Sequence, residues 1–91
     1  MSYKVKFLDK ASKDALKLKQ EEPKAFSKLT KLVEELKEHP TTGIGKPEYL
    51  RYDKREMWSR RITKKHRIVY RIYNEIVVVE VVSAYGHYDD K

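Results

Sequence analysis

From Ile76 to Ala84 the chain reads Ile-Val-Val-Val-Glu-Val-Val-Ser-Ala, a nearly continuous apolar run interrupted by one charge. It is far shorter than the roughly 20 apolar residues of a membrane span. Its near-continuity argues for a central, well-covered strand rather than a half-exposed one. The rest of the chain must therefore supply neighbouring strands and a covering layer.

Two further strands precede this run, over Trp58 to Thr63 and Arg67 to Tyr73, and Asn74-Glu75 stands where a hairpin turn is needed. Near the N-terminus, Tyr3, Val5 and Phe7 alternate with Lys4 and Lys6, as in a half-buried strand. Asp9 is placed to cap a helix. Ala11, Ala15 and Leu18, with Leu16 beside them, form its narrow apolar stripe, and it ends near Glu22. Pro23 suits the first turn of a second helix, where its missing N–H costs nothing. Ala25, Phe26, Leu29, Leu32, Val33 and Leu36 form a wider stripe, and Pro40 closes that helix. Thr41 to Glu48 is a loop punctuated by Gly43, Gly45 and Pro47. The order β-α-α-β-β-β predicts an α+β fold, with a helical hairpin packed on one face of a mostly antiparallel four-stranded sheet. At 91 residues the chain is one domain.

Absence of cysteine removes disulfides and thiolate metal sites, and three scattered histidines argue against zinc. No metal and no cofactor is expected. The N-terminus lacks the apolar stretch of a signal peptide, so the expectation is a soluble, cytoplasmic protein with no membrane partner.

The charge is sorted along the chain. Ten basic residues and three acids lie between Lys46 and Arg71, a segment that alone carries the whole net charge of +7. All six arginines are in it, and elsewhere the basic residues are lysines only. Arg grips phosphate with a planar two-bond fork, whereas Lys is a hydrated point charge. Such sorting points to an RNA or DNA backbone or another polyanion, on the sheet face the helices leave open; the plainer alternative is a solvated basic face.

Cutting RNA without a metal requires a base for the 2′-hydroxyl, an acid for the 5′-oxygen and cations at the pentavalent phosphate. Glu48, between Lys46 and Arg51, is a candidate base. His87, just beyond the last strand, is a candidate acid. Arg61 and Arg67, on adjacent strands, are candidate cations. Taken singly, each reads as well as a solvated surface or tail residue.

The set as a whole is more specific. Gly45-Lys46-Pro47-Glu48-x-Leu50, Trp58-Ser59-Arg60-Arg61-Ile62, His66-Arg67-Ile68-Val69-Tyr70 and Gly86-His87-Tyr88 occur in that order. In order and spacing they resemble the YoeB/Txe family of the RelE toxin superfamily. The resemblance implies a RelE-like fold and a type II toxin that cleaves mRNA in the ribosomal A site. It also implies an antitoxin of the YefM, Axe or Phd-like kind, with operator DNA bound only through the antitoxin complex; a homodimer is compatible with it. By the same resemblance Glu48 is the general base, Arg61 and Arg67 stabilise the phosphate, His87 is the general acid, and Tyr88 orients substrate or stacks on a base. Lys46 and Arg60 are assigned to substrate binding. Two features depart from the family pattern: Asp89-Asp90-Lys91 follows the His-Tyr pair, and no glycine stands just before Trp58.

Other residues read as structure: Trp58 as packing, Tyr70 and Ile72 as facing the helices, His66 as a capping or surface residue at a hairpin. Tyr49, Tyr52, Tyr73 and Tyr85 read equally as base-stacking or rim residues. Two rival functions stay open, a same-fold toxin acting on DNA gyrase and a non-enzymatic RNA-binding module. Strand parity adds a constraint. A two-residue turn at Lys64-Lys65 would put Arg61 and Arg67 on opposite faces. A three-residue connection, Lys64 to His66, pairs Thr63 with Arg67 and Ile62 with Ile68, putting both arginines on the open face. It also predicts backbone strain in that connection.

Overall fold

The computed structural model describes residues 2–50 and 56–86. In chain order its elements are β1 (Lys4–Phe7), α1 (Asp9–Glu21), α2 (Pro23–Glu38), β2 (Glu48–Tyr49), β3 (Met57–Arg61), β4 (Arg67–Tyr73) and β5 (Val78–Ser83).

Leu8 still donates its N–H to Val81 O of β5 at 2.9 Å, so the chain can turn into α1 only after it. Leu8 therefore takes the N-cap position without a side-chain cap. The expected cap, Asp9, is instead the first helical residue, where its charge complements the helix dipole. Glu22 alone separates the two helices. Proline at the start of α2 disfavours helical geometry in the residue before it, and Glu22 is accordingly non-helical (φ −142°, ψ 77°). One residue thus breaks one helix and starts the next.

The sheet runs β1-β5-β4-β3-β2. β1 is parallel to β5 and the other pairs are antiparallel. The apolar C-terminal strand is interior, bonded on both sides as expected. The expected sheet of four strands has a fifth: Glu48, read from sequence as loop, and Tyr49, read equally as base-stacking or rim, pair with Ser59 and Trp58 at its edge. Two residues are too few to show an alternation, so the sequence could not announce this strand.

The helices cover one face. Ala11 and Leu18 of α1 and Ala25, Leu29, Leu32 and Leu36 of α2 pack on Ile62, Ile68, Tyr70, Val79, Val81 and Ala84. Truncating one of these leucines to alanine removes about 2–5 kcal/mol. Val81 and Ala84 are three residues apart yet share the core. A register shift makes this possible: Tyr70 pairs with Val81 but Val69 with Ser83, which inserts a residue into β5 and re-phases the strand end. That end is held from α1, where Asp14 Oδ2 accepts the Ala84 N–H at 2.9 Å.

Candidate active site

In the β3–β4 ladder Arg61 stands directly opposite Arg67, followed by Arg60 opposite Ile68, Ser59 opposite Val69 and Trp58 opposite Tyr70. Paired residues share a face, so Arg61, Arg67, Ser59 and, across β2, Glu48 lie on the side away from the helices. Arg61 and Arg67 thus share a face, as the parity argument required. The loop length it used was wrong: five residues, 62 to 66, separate the two strands instead of three. Parity is preserved because the difference is two. The expected strain is also elsewhere. Among the described residues, the non-glycine residues with positive φ are Lys46, Glu56 and Val77, and none lies in this connection. Thr63 relieves it, since its hydroxyl accepts the N–H groups of Lys65 and His66 at 3.1 and 3.2 Å.

The arginine pair organises the site through its backbone. The Arg61 N–H donates to Gly45 O at 2.6 Å, and the Arg67 N–H donates to Gly86 O at 2.9 Å. Each points outward from β3–β4, so this is a pair whose members do not bond each other, the kind in which side chains approach more closely. One N–H draws in the loop that carries Glu48. The other draws in the residue before His87. Gly45 meets a double demand, with φ at +81° and a position where a Cβ would lie 3.0 Å from Arg61 O and 2.9 Å from Leu32 Cδ2. Lys46, in the left-handed region at φ 52° with a side chain, stores about 1–3 kcal/mol of strain at the lip of the site.

Lys46, Pro47, Glu48, Arg61 and Arg67 line an open cleft of about 370 Å³. Glu48 Oε1 lies 3.6 Å from Arg67 Nη1, and the same Nη1 donates to Ser59 Oγ at 3.1 Å. Ser59 is buried, holds Arg67 in place, and was not singled out from sequence. Two like charges directly opposite each other are unfavourable. With Lys46 beside them they make a cleft in which one carboxylate is outnumbered by cations, suited to a phosphodiester. His87 and Tyr88 lie outside the described residues, as do Arg51 and Tyr52.

Arg60 does not belong to this site, and its assignment to substrate binding is corrected. Its side chain is 0% exposed, on the helix face beside Trp58. Its Nε donates to Tyr70 Oη at 3.1 Å. Nη1 donates to Glu35 Oε1 at 2.6 Å and Ile44 O at 3.2 Å, while Nη2 donates to Thr42 O at 2.8 Å and to His39 O. All five N–H donors of the guanidinium are used. Tyr70 in turn donates to Pro40 O at 2.8 Å, and burial pushes its hydroxyl pKa above the ordinary value. Arg60 thus clamps residues 39–44, the approach to Lys46 and Glu48. The signal was present in parity: neighbours on a strand face opposite ways, so Arg60 and Arg61 could not both line the cleft. His66, read as a capping or surface residue, is 3% exposed, which removes the surface alternative.

A family model described as the YoeB-like toxin of bacterial type II toxin–antitoxin systems matches residues 7–88. Toxin YoeB of Synechocystis sp. is 33% identical over 85 residues, 93% of this chain and 96% of its own. Among solved structures, a YoeB/ParE toxin from Agrobacterium tumefaciens is 31% identical with a TM-score of 0.83, covering 93% of this chain and 99% of that one. The YoeB dimer from Staphylococcus aureus is 28% identical with a TM-score of 0.82, covering 97% and 100%. A heterotetrameric YoeB–YefM toxin–antitoxin complex from the same organism gives 27% and 0.76 at the same coverage.

Proposed function

This chain belongs to the YoeB-like toxins of bacterial type II toxin–antitoxin systems, and on that premise we propose that it is a ribosome-dependent mRNA endonuclease. The observation that carries the reading is the Glu48 carboxylate, exposed and 3.6 Å from Arg67, in a cleft that Arg61 and Lys46 also line.

Glu48 removes the proton of a 2′-hydroxyl. The 2′-oxygen attacks the adjacent phosphorus, and Arg61 and Arg67 take up the negative charge gathering on the equatorial oxygens. The bond to the 5′-oxygen breaks as His87 donates a proton to it, leaving a 2′,3′-cyclic phosphate and a free 5′-hydroxyl. Lys46 holds the backbone and Tyr88 orients the substrate. Ground-state recognition by Arg alone would not cut. The base must be open to the substrate, and the exposure of Glu48 supports that role.

The S. aureus complex supports a YefM-like antitoxin as partner and its dimer a homodimeric form. Operator DNA is then bound only through the antitoxin complex. The antitoxin approaches the arginine face with acidic and apolar side chains.

The test is cleavage of mRNA on programmed ribosomes by the wild type and Glu48→Gln. An amide cannot accept the proton, so the variant should lose about 10²–10⁴-fold in rate while folding and binding antitoxin normally. A fully active Gln variant removes Glu48 from the mechanism. Inhibition of gyrase supercoiling without mRNA cleavage would establish the rival target.

A further inference from the structure

Both ring nitrogens of His66 are engaged. The Gly86 N–H donates to Nδ1 at 2.8 Å, so Nδ1 carries the lone pair. The proton is then on Nε2, which donates to Glu22 Oε2 at 2.6 Å. The Tyr85 ring lies against the imidazole with centroids 4.5 Å apart, and its hydroxyl donates to Glu21 Oε1 at 2.8 Å. The His66 carbonyl accepts the N–H groups of Ile62 and Thr63. One buried ring therefore joins the helix junction, the β3–β4 connection and the chain beyond β5.

We propose that His66 is a positioning residue for RNA cleavage, its unprotonated Nδ1 setting the Gly86 backbone from which His87 follows. The inference rests on the nuclease reading, in which His87 supplies the leaving-group proton. Two bonds hold Gly86: its carbonyl accepts the Arg67 N–H and its own N–H reaches His66. The first ties it to a phosphate-binding residue. The second sets its rotation, at φ +76°, about that tie. Burial alone would be met by any ring of this size, but this contact requires an acceptor at one ring position and a donor at the other.

Two substitutions separate those positions. Asn places an amide oxygen near Nδ1 and abandons Glu22; Gln places its amide near Nε2 and leaves Gly86 without an acceptor. In single-turnover cleavage on programmed ribosomes, His66→Asn should stay near the wild-type rate. His66→Gln should fall by about 100-fold, the scale of a roughly 1 Å misplacement, with ribosome binding unchanged. Equal losses in both, in step with their melting temperatures, would overturn the proposal. Nitrogen-15 NMR of the wild type decides independently of whether the variants fold. Protonation at Nε2 with a bare, bonded Nδ1 is expected, and a proton on Nδ1 overturns the assignment. A wild type that shows this bond but cleaves no mRNA overturns the nuclease reading, and the positioning role with it.

Discussion

Arg60 and Arg61 are neighbours in sequence, yet they belong to different regions of the molecule. Arg60 lies under the helices with every donor used by Glu35, Tyr70 and three carbonyls. Arg61 is exposed in the cleft, and among the described residues its side chain has no hydrogen bond or ion pair. The same guanidinium chemistry serves stability on one side of the sheet and, on the proposed reading, substrate on the other. The difference is produced by the strand's two-residue period. A buried guanidinium must be satisfied internally; an exposed one, held near a like charge, keeps its donors for an anion.

The strongest challenge to this contrast is Arg60→Met. Removing one member of a buried charged network leaves three loop carbonyls without their donor and Glu35 with the Ile44 N–H alone, so unfolding free energy should drop by about 3–5 kcal/mol in urea titrations. A loss below about 1 kcal/mol would mean that the clamp is replaceable and that the two arginines differ less than their burial implies.

Arg61→Ala should give the mirror image. Its cleavage rate on ribosomes should drop by about 10²–10³-fold, while stability stays within about 0.5 kcal/mol of wild type. Combining it with Arg67→Ala should cost less than the product of the single effects if, as proposed, both act on one phosphate. If Arg61→Ala melts early, as is expected of Arg60→Met, the division between the two faces fails.

Gly45→Ala probes the seam between the regions, since Gly45 touches the Arg61 backbone and the core residue Leu32. Left-handed φ and a blocked Cβ together should lower stability by about 1–3 kcal/mol. Cleavage should fall further than stability predicts, because the displaced loop carries Lys46 and Glu48. Circular dichroism melts beside cleavage rates measure the ratio.

The smallest effect concerns acid. The hydrogen bond from His66 chiefly holds the Glu22 carboxyl below its ordinary value of 4.5. A depressed carboxyl contributes stability above 4.5 and loses it as pH falls through the folded value. Glu22→Gln should therefore shrink the drop in urea midpoint below pH 4.5 and leave the midpoint's pH dependence unchanged above it. An identical acid-side drop in both proteins would remove Glu22 as its source.

Local rules settled much of this molecule. Pro23 and Pro40 bracket α2 because an imide can neither continue nor be entered by a helix freely, and the bounds of β4 were readable from the alternation of Arg67 to Tyr73. The common face of Arg61 and Arg67 was also legible, since parity survives an error of two residues in the loop between them. What tertiary structure alone decided were features whose partners come from distant segments. The two-residue strand at Glu48 exists because β3 offers it an edge. Arg60 is satisfied by carbonyls contributed 16 to 21 residues earlier in the chain. His66 is buried because Glu22 and Gly86 converge on it from separations of 44 and 20 residues. Periodicity reports which way a side chain points, whereas satisfaction of a buried polar group depends on what the rest of the chain brings to that point.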